Sequence, residues 1–251
     1  VKIVCTLLFL VSLFIQNSLL GYVIATLFLG TVIRLSKVPL KYIVKGLKPI
    51  VILLLFTVVM NLFLTQSGEV LAHFWIFTIT EGGLRTSVFM AIRLMYLVAG
   101  SSIMTFTTSP NGLTDGMEKL LHPLNKLNVP VHEVAMMMSI ALRFIPILLE
   151  EADKIMKAQQ ARGADFESGN IIQRAKAMVP ILVPLFVSAF RRANDLAMAM
   201  ESRCYHGGDG RTKMKPLRYK SRDRIAYVLT LIYIVLVFVV GRYVPFKLWI
   251  F

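Results

Sequence analysis

Cysteine, histidine and acidic side chains are all scarce in this chain of 251 residues. Cys5 and Cys204 are the two cysteines, and the four histidines are scattered along the sequence. Two cysteines are too few for a disulfide framework, and the cysteines and histidines do not have the spacing typical of a metal site. No histidine has a paired carboxylate or nucleophile beside it, so the sequence predicts no catalytic residues, no metal site and no bound cofactor.

A phosphate-binding loop is also missing. Residues 207–213 read GGDGRTK, which is rich in glycine but lacks the spacing GxxxxGK[ST], and no buried strand precedes it. A tight turn that leads the chain back to the membrane is the better interpretation. The sequence therefore shows no nucleotide site of its own in this chain.

Long hydrophobic runs are abundant instead. Hydrophobic residues make up 56% of the chain and charged residues 17%, and the mean hydropathy is +0.68. A soluble domain of this length would not need such continuous apolar runs, so the sequence predicts an all-α, polytopic membrane protein. Several runs are shorter than the ~20 residues that cross hydrocarbon, so flanking residues must extend them. The five predicted membrane segments are 3–15, 18–33, 50–64, 84–106 and 225–240.

The charges are distributed unevenly around these segments. Residues 34–48 carry five Lys or Arg and no acid, whereas 65–83 carry Glu69 and Glu81 and no Lys or Arg. The positive-inside rule then predicts a cytoplasmic 34–48, an external 65–83, an N-terminus inside and a C-terminus outside. A net charge of +14 could also indicate nucleic-acid binding. These charges flank apolar segments and lack interleaved aromatic residues, so we expect no nucleic-acid partner and a lipid bilayer instead.

Arg93 lies inside the fourth predicted segment. It could line a substrate path, or it could face the helix bundle or snorkel towards the outer leaflet. The second interpretation is favoured because no acidic residue in the same segment pairs with it.

Residues 107–222 differ from the rest, because they hold 11 of the 14 acidic residues and yet contain strong apolar runs. Residues 134–149 are almost entirely apolar, and an amphipathic stretch follows, which predicts one helix over about 134–160. A second run repeats this plan over 179–203. We expect Pro146, Pro180 and Pro184 to bend or interrupt these helices. The predicted domains are 1–106 with four membrane helices, 107–222 as a cytoplasmic coupling domain, and 223–251 with the last membrane helix.

Both long runs end in an arginine flanked by small residues. The first end contains Ala161, Arg162 and Gly163, and the second contains Ser202, Arg203 and Cys204. A guanidinium stays charged and binds carboxylates or carbonyls with a planar fork, while small neighbours let a partner backbone approach. One exposed arginine alone would be a solvated surface charge. Two in matched settings favour a binding role, and the glycine is placed as a helix cap.

A methionine cluster precedes the first arginine end. Soft-metal binding is one interpretation, but such clusters are more often adaptable packing surfaces. We therefore expect an apolar interface with a membrane partner or with the other long helix, formed by Met136, Met137, Met138, Ile140 and Phe144.

The signatures resemble those of one family. The segments LRFIP at 142–146 and KAQQARGADF at 157–166 resemble the first signature of the T components of energy-coupling factor (ECF) transporters, the EcfT family. The segments AMESRCY at 199–205 and GGDGRT at 207–212 resemble the second. The family's usual second motif is Ala-Arg-Gly. The arginine is kept here, but the glycine is replaced by Cys204.

This resemblance implies about five transmembrane helices, with long cytoplasmic coupling helices between the fourth and the fifth. It implies a non-catalytic scaffold whose arginine ends bind two cytoplasmic ABC ATPases, and which also contacts one small substrate-binding membrane subunit that carries a vitamin or metal ion. Two alternatives stay open. An ordinary ABC permease would typically carry one coupling loop per chain, and a secondary transporter would need paired intramembrane charges or broken inverted repeats.

Overall fold

The computed structural model describes residues 1–16, 18–64, 70–74, 77–166, 168, 170–208, 214 and 216–243. Over these residues the chain is mostly helical, with one antiparallel hairpin of two short strands. In chain order the elements are α1 (Lys2–Ile15), α2 (Leu19–Ser36), α3 (Leu40–Leu47), α4 (Val51–Leu64), β1 (Val70–Phe74), β2 (Phe77–Thr80), α5 (Glu81–Thr107), α6 (Pro110–Leu121), α7 (Val131–Ala161), α8 (Ile171–Glu201) and α9 (Ser221–Tyr243).

Several helices begin where a polar side chain caps the free backbone donors. The hydroxyl of Ser18 accepts from the backbone N–H of Gly21 at 3.2 Å and starts α2, and Thr80 does the same for Gly83 at the start of α5. Asn170 and Gln173 form a reciprocal capping box at the start of α8. Such caps satisfy donors that a helix start otherwise leaves unpaired.

The chain divides into two compact units, and the first comprises Val1–Ser109 and Arg218–Phe251. Its core is apolar and is formed mainly by α1, α2, α5 and α9, with Phe9, Leu13, Ala25, Leu29, Ile103, Tyr233 and Val237 among its buried members. The rings of Phe28 and Tyr233 stack at 4.4 Å. At the contact of α1 with α5, a Cβ on Gly100 would lie 2.8 Å from the ring of Phe9. Glycine therefore allows these two helices to pack closely, as small residues often do between membrane helices.

Arg93 faces this bundle, as the favoured interpretation of the sequence stated. Its guanidinium donates one hydrogen bond to the backbone carbonyl of Gln16 at 3.0 Å and another to the hydroxyl of Tyr22 at 3.1 Å. It also lies 5.8 Å from the ring centroid of Phe14. The charge is thus bound by a helix-end carbonyl and aromatic groups within the first unit.

An amphipathic helix that the sequence analysis missed lies in the basic segment. The side chain of Ile43 in α3 is buried in the core of the first unit, whereas Lys41 and Lys45 are exposed. A short helix with one apolar and one cationic face is typical of helices that lie at a membrane surface. Hydrophobic runs alone could not reveal it, because α3 has only eight residues.

Six helical segments among the described residues are long and apolar enough to cross a membrane. Four of them correspond to predicted segments: α2, the stretch 40–63 that includes α3 and most of α4, α5 and α9. The remaining predicted segment is α1, whose 14 residues span about 21 Å at 1.5 Å per residue. The other two long segments are α7 and α8, which the sequence analysis had assigned to the coupling region. The polytopic helical class is confirmed, and the hairpin at β1 and β2 is an addition to it.

The second unit comprises Pro110–Leu217, in which α6 packs on α7 and α7 packs on α8. The helix predicted over 134–160 is confirmed as α7, which has 31 residues. Pro146, Pro180 and Pro184 do not interrupt the helices, since α7 and α8 each continue through them, and a bend at these prolines stays a prediction. A proline removes one backbone donor, and membrane-type helices tolerate this where neighbouring groups satisfy the freed carbonyl. The cytoplasmic location predicted for 107–222 stays a prediction.

Candidate functional site at two helix ends

The first arginine end closes α7 with a left-handed turn. Gly163 has a φ of +89° and donates its N–H to the carbonyl of Gln160 at 2.9 Å, and Ala164 donates to the carbonyl of Gln159 at 3.0 Å. These two bonds define the helix-ending motif in which glycine is preferred at the left-handed position. A Cβ on Gly163 would meet no atom within 4 Å. The backbone conformation therefore explains this glycine without any need for close packing inside the chain.

The second end repeats the same turn with a different residue. Cys204 has a φ of 55°, its N–H donates to the carbonyl of Glu201 at 2.9 Å, and Tyr205 donates to the carbonyl of Met200 at 3.1 Å. Cys204 thus holds the position that Gly163 holds in the first end, although a side chain makes the left-handed region less favourable. Arg203 and Arg162 are then geometrically equivalent, each standing immediately before the left-handed residue.

All six predicted coupling residues are exposed in the second unit: Ala161, Arg162, Gly163, Ser202, Arg203 and Cys204. An arginine at the last turn of a helix interacts favourably with the carbonyls and the negative end of the helix dipole. Its guanidinium is also accessible to a partner. The structure therefore provides two matched, rigid and accessible cationic ends, and their role in coupling stays a prediction.

A clasp between α7 and α8 joins the charged halves of the two helices. One carboxylate oxygen of Glu151 accepts from the hydroxyl of Ser188 at 2.6 Å, and the other accepts from the guanidinium of Arg192 at 2.6 Å. The sequence analysis missed these residues, because helix periodicity places charges on one face but does not pair them across two helices. A single carboxylate with two donors on the neighbouring helix links α7 to α8 at this level.

The five predicted interface residues do not share one environment. Met136, Ile140 and Phe144 stand four positions apart on one face of α7 and are half-buried. Met137 and Met138 are exposed, at 57% and 51%. Only the last two therefore present a large apolar surface beyond the chain itself, and their contact with a partner stays a prediction.

The chain segment that follows the second end packs against a histidine of α7 that is itself paired with a carboxylate of α6. His132 lies 2.9 Å from the carboxylate of Glu118, and a Cβ on Gly208 would come within 2.4 Å of the His132 ring. Glycine at 208 therefore lets the segment after Arg203 pack directly against α7. Among the residues that the structure describes, no three His, Cys, Asp or Glu side chains come together as a metal site would require.

Long apolar helices with paired, exposed arginine ends define a polytopic membrane protein whose two long helices end in the same way. The sequence model of the family CbiQ, described as cobalt transport protein, matches residues 1–214. The chain is 57% identical over 233 residues to the energy-coupling factor transporter transmembrane protein EcfT of Clostridium kluyveri, covering 92% of this chain and 86% of that protein.

Other curated relatives carry the same name. The EcfT protein of Thermosediminibacter oceani is 54% identical over 229 residues, covering 91% of this chain and 86% of the relative. The EcfT protein of Bacillus subtilis is 47% identical over 237 residues, covering 94% and 89%. The chain therefore belongs to this family and is the transmembrane component of an ECF transporter, a membrane-embedded transport subunit that works within a larger complex. Membership of this family argues against the two alternatives, an ordinary ABC permease and a secondary transporter.

Proposed function

We propose that this chain couples two cytoplasmic ABC ATPases to one small substrate-binding membrane subunit. ATP is bound and hydrolysed by the partners, and this chain transmits their motion without a catalytic step of its own. The cargo class is a vitamin or a transition-metal ion, released on the cytoplasmic side. In this proposal the N-terminus and the coupling region lie in the cytoplasm and the C-terminus lies outside.

The matched geometry of the two arginine ends carries the proposal. Arg162 and Arg203 stand at the same position of the same helix-ending turn, and both are exposed. Two equivalent ends on one chain suit two similar ATPase subunits, one for each end. The turn already restricts the backbone around each arginine. Binding in a partner groove should therefore cost less conformational entropy.

The rigidity of α7 and α8 supports transmission of movement. Each helix has 31 residues, and at 1.5 Å per residue each spans about 46 Å. The clasp of Glu151 with Ser188 and Arg192 ties the two helices together. A displacement at one end would therefore move both helices, because the clasp opposes their rotation about each other.

The exposed methionines support a contact with the substrate-binding subunit. Because Met137 is 57% exposed, replacing it by aspartate places a charge on the outer surface of α7 and not in the interior of the second unit. We expect Met137→Asp to weaken assembly with the substrate-binding subunit while the ATPases stay attached. Loss of the ATPases first would show that this surface serves them instead.

Mutation of the two arginines tests the main proposal. A charge-assisted hydrogen bond contributes about 1.5–3 kcal/mol, so each single change, Arg162→Ala or Arg203→Ala, should weaken one ATPase contact about ten- to a hundredfold. The double change should release the ATPases or uncouple ATP hydrolysis from uptake. Lysine should rescue poorly, because it lacks the planar fork. ATPase co-purification and substrate uptake are the measurements.

Arg174→Ala provides a matched control, because Arg174 is also exposed but lies in the first turn of α8 rather than at its end. This control should bind both ATPases and transport normally. If the double variant at 162 and 203 behaves like the Arg174 variant, the two arginines are ordinary surface charges and the proposal is wrong.

A further inference from the structure

A large cavity lies within the first unit, between the membrane helices. It has a volume of about 930 Å³ and is bounded by α1, α2, α5 and α9, with α3 beside it. Cavities of roughly 300–1,000 Å³ are the size that holds small-molecule ligands in proteins. The cavity is separate from the arginine ends and from the exposed methionines, so the proposed coupling function does not use it.

The wall of the cavity is mostly apolar, and two basic residues also line it. Phe9, Leu29 and Ile103 line it, whereas Lys2 and Lys37 bring two positive charges to it. None of the described residues that line the cavity carries a carboxylate. The cavity thus combines a hydrocarbon-like wall with unbalanced positive charge, which is complementary to an amphiphile with an anionic head.

Helix ends place the basic residues at one end of the bundle. Lys2 begins α1, Lys37 follows the last residue of α2, and Thr107 ends α5. All three line the cavity, as does Tyr42 of α3, whose ring lies 6.1 Å from that of Phe106. Tyrosine and an amphipathic helix are both typical of the membrane–water interface. The charged end of the cavity is therefore at the level of the lipid headgroups.

The two lysines are held in place by the fold. The ammonium of Lys2 donates to the carbonyl of Thr107 at 2.6 Å, which uses one of its three N–H groups. Lys37 has a φ of 56°, a left-handed conformation that is uncommon for a residue with a side chain. The contact of Lys2 places its ammonium beside the end of α5, and Lys37 lines the same cavity from the end of α2.

We propose that this cavity binds one anionic phospholipid, with an acyl chain among Phe9, Leu29 and Ile103 and the phosphate beside Lys2 and Lys37. Basic pockets between membrane helices on the cytoplasmic side bind anionic headgroups in this way. The proposed orientation assigns the lipid to the cytoplasmic leaflet, but the site itself does not depend on the coupling function. The lipid would fill the space between four helices and tie α3 to them.

Native mass spectrometry of the complete purified transporter tests this proposal. The transporter is first reconstituted with equal amounts of phosphatidylglycerol and phosphatidylcholine that carry the same acyl chains. We expect one phosphatidylglycerol to be retained per transporter, with a preference over phosphatidylcholine of about tenfold, as expected for two lysines near a phosphate. The variant Lys2→Gln with Lys37→Gln should abolish this preference. Equal retention of both lipids by the unmodified transporter would overturn the proposal.

Two further variants locate the lipid. Lys41→Gln with Lys45→Gln also removes two positive charges, both from the basic segment that contains Lys37. Neither residue lines the cavity, so the lipid preference should be unchanged. Thr6→Trp should fill the cavity and displace the lipid while both lysines remain. Ala226→Phe, on a different helix, repeats the filling test if the Thr6 variant fails to assemble. An equal loss in the Lys41 and Lys45 control, or full retention in an assembled filled variant, would show that the lipid binds elsewhere.

Discussion

Arg93 donates a hydrogen bond of 3.0 Å to the backbone carbonyl of Gln16, the residue that follows the last turn of α1. This contact places a cation at the negative end of a helix that is too short to cross hydrocarbon alone. The amide of Gln16 in turn donates to the hydroxyl of Tyr233 at 3.1 Å. Arg93 and Tyr233 therefore anchor the end of α1 from two different helices, α5 and α9.

Replacement of Arg93 by leucine should lower the stability of the first unit. The change removes the donors to Gln16 and Tyr22 and leaves a helix-end carbonyl without its cation. We expect a loss of about 1–3 kcal/mol in the free energy of unfolding, measured by chemical denaturation in detergent. Tyr22→Phe, which removes one acceptor only, should cost less. A fully stable Arg93→Leu protein with reduced transport would instead support the substrate-path interpretation.

The left-handed backbone at Gly163 and at Cys204 predicts opposite effects of two substitutions. Gly163→Ala puts a side chain into the left-handed region and should destabilise that turn by about 1 kcal/mol. Cys204→Gly should stabilise the second turn, by up to about 1 kcal/mol, since glycine adopts this conformation without strain but loses more chain entropy. Hydrogen exchange at the amides of Ala164 and Tyr205, which close the two turns, is the measurement. Changes of the same sign at both ends would contradict the equivalence.

Loss of the Glu151 carboxylate should loosen α7 relative to α8. In a Cys5→Ser background, spin labels on the native Cys204 and on a cysteine replacing Ala164 report the distance between the two ends. We expect Glu151→Ala to broaden the distance distribution, because Ser188 and Arg192 lose their acceptor. Asp153→Ala is the control, since Asp153 bonds Lys157 of its own helix at 2.7 Å. An unchanged distribution for Glu151→Ala would show that packing alone fixes the helices.

The cytoplasmic position proposed for residues 107–222 predicts a labelling pattern in intact cells. A cysteine replacing Ser168, between α7 and α8, should not react with an impermeant thiol reagent applied from outside. A cysteine replacing Ser67, which lies outside the residues that the structure describes, should react. Reaction of the Ser168 variant would mean that α7 and α8 cross the membrane, as their length and composition would allow.

The sequence predicted long helices well, because hydrophobic periodicity extends over many residues in each. The extent of α7 differs from its prediction by only a few residues at the start and one at the end. The position of Gly163 as a helix cap also followed from the sequence, since glycine after a last helical turn has a specific backbone use.

Other features depend on contacts between distant residues and could not be predicted in this way. Glu151 and Arg192 both stand in charged stretches, but nothing in their spacing indicates that their side chains meet. The equivalence of Cys204 with Gly163 was obscured because cysteine gives no signal for a left-handed backbone. A proline in an apolar run predicts either a bend or an interruption, and the sequence alone does not choose between them, whereas α7 and α8 continue through their prolines.

Cys204 also makes one arginine end directly observable. It is exposed beside Arg203, whereas Cys5, the other described cysteine, is half-buried among membrane helices. An environment-sensitive fluorophore attached to Cys204 would sit at the second end alone, with no new cysteine introduced. Under the proposed coupling function, its emission would report when an ATPase occupies that end, while the first end remained unlabelled. Asymmetry between the two ATPases would then become a signal that can be followed in time.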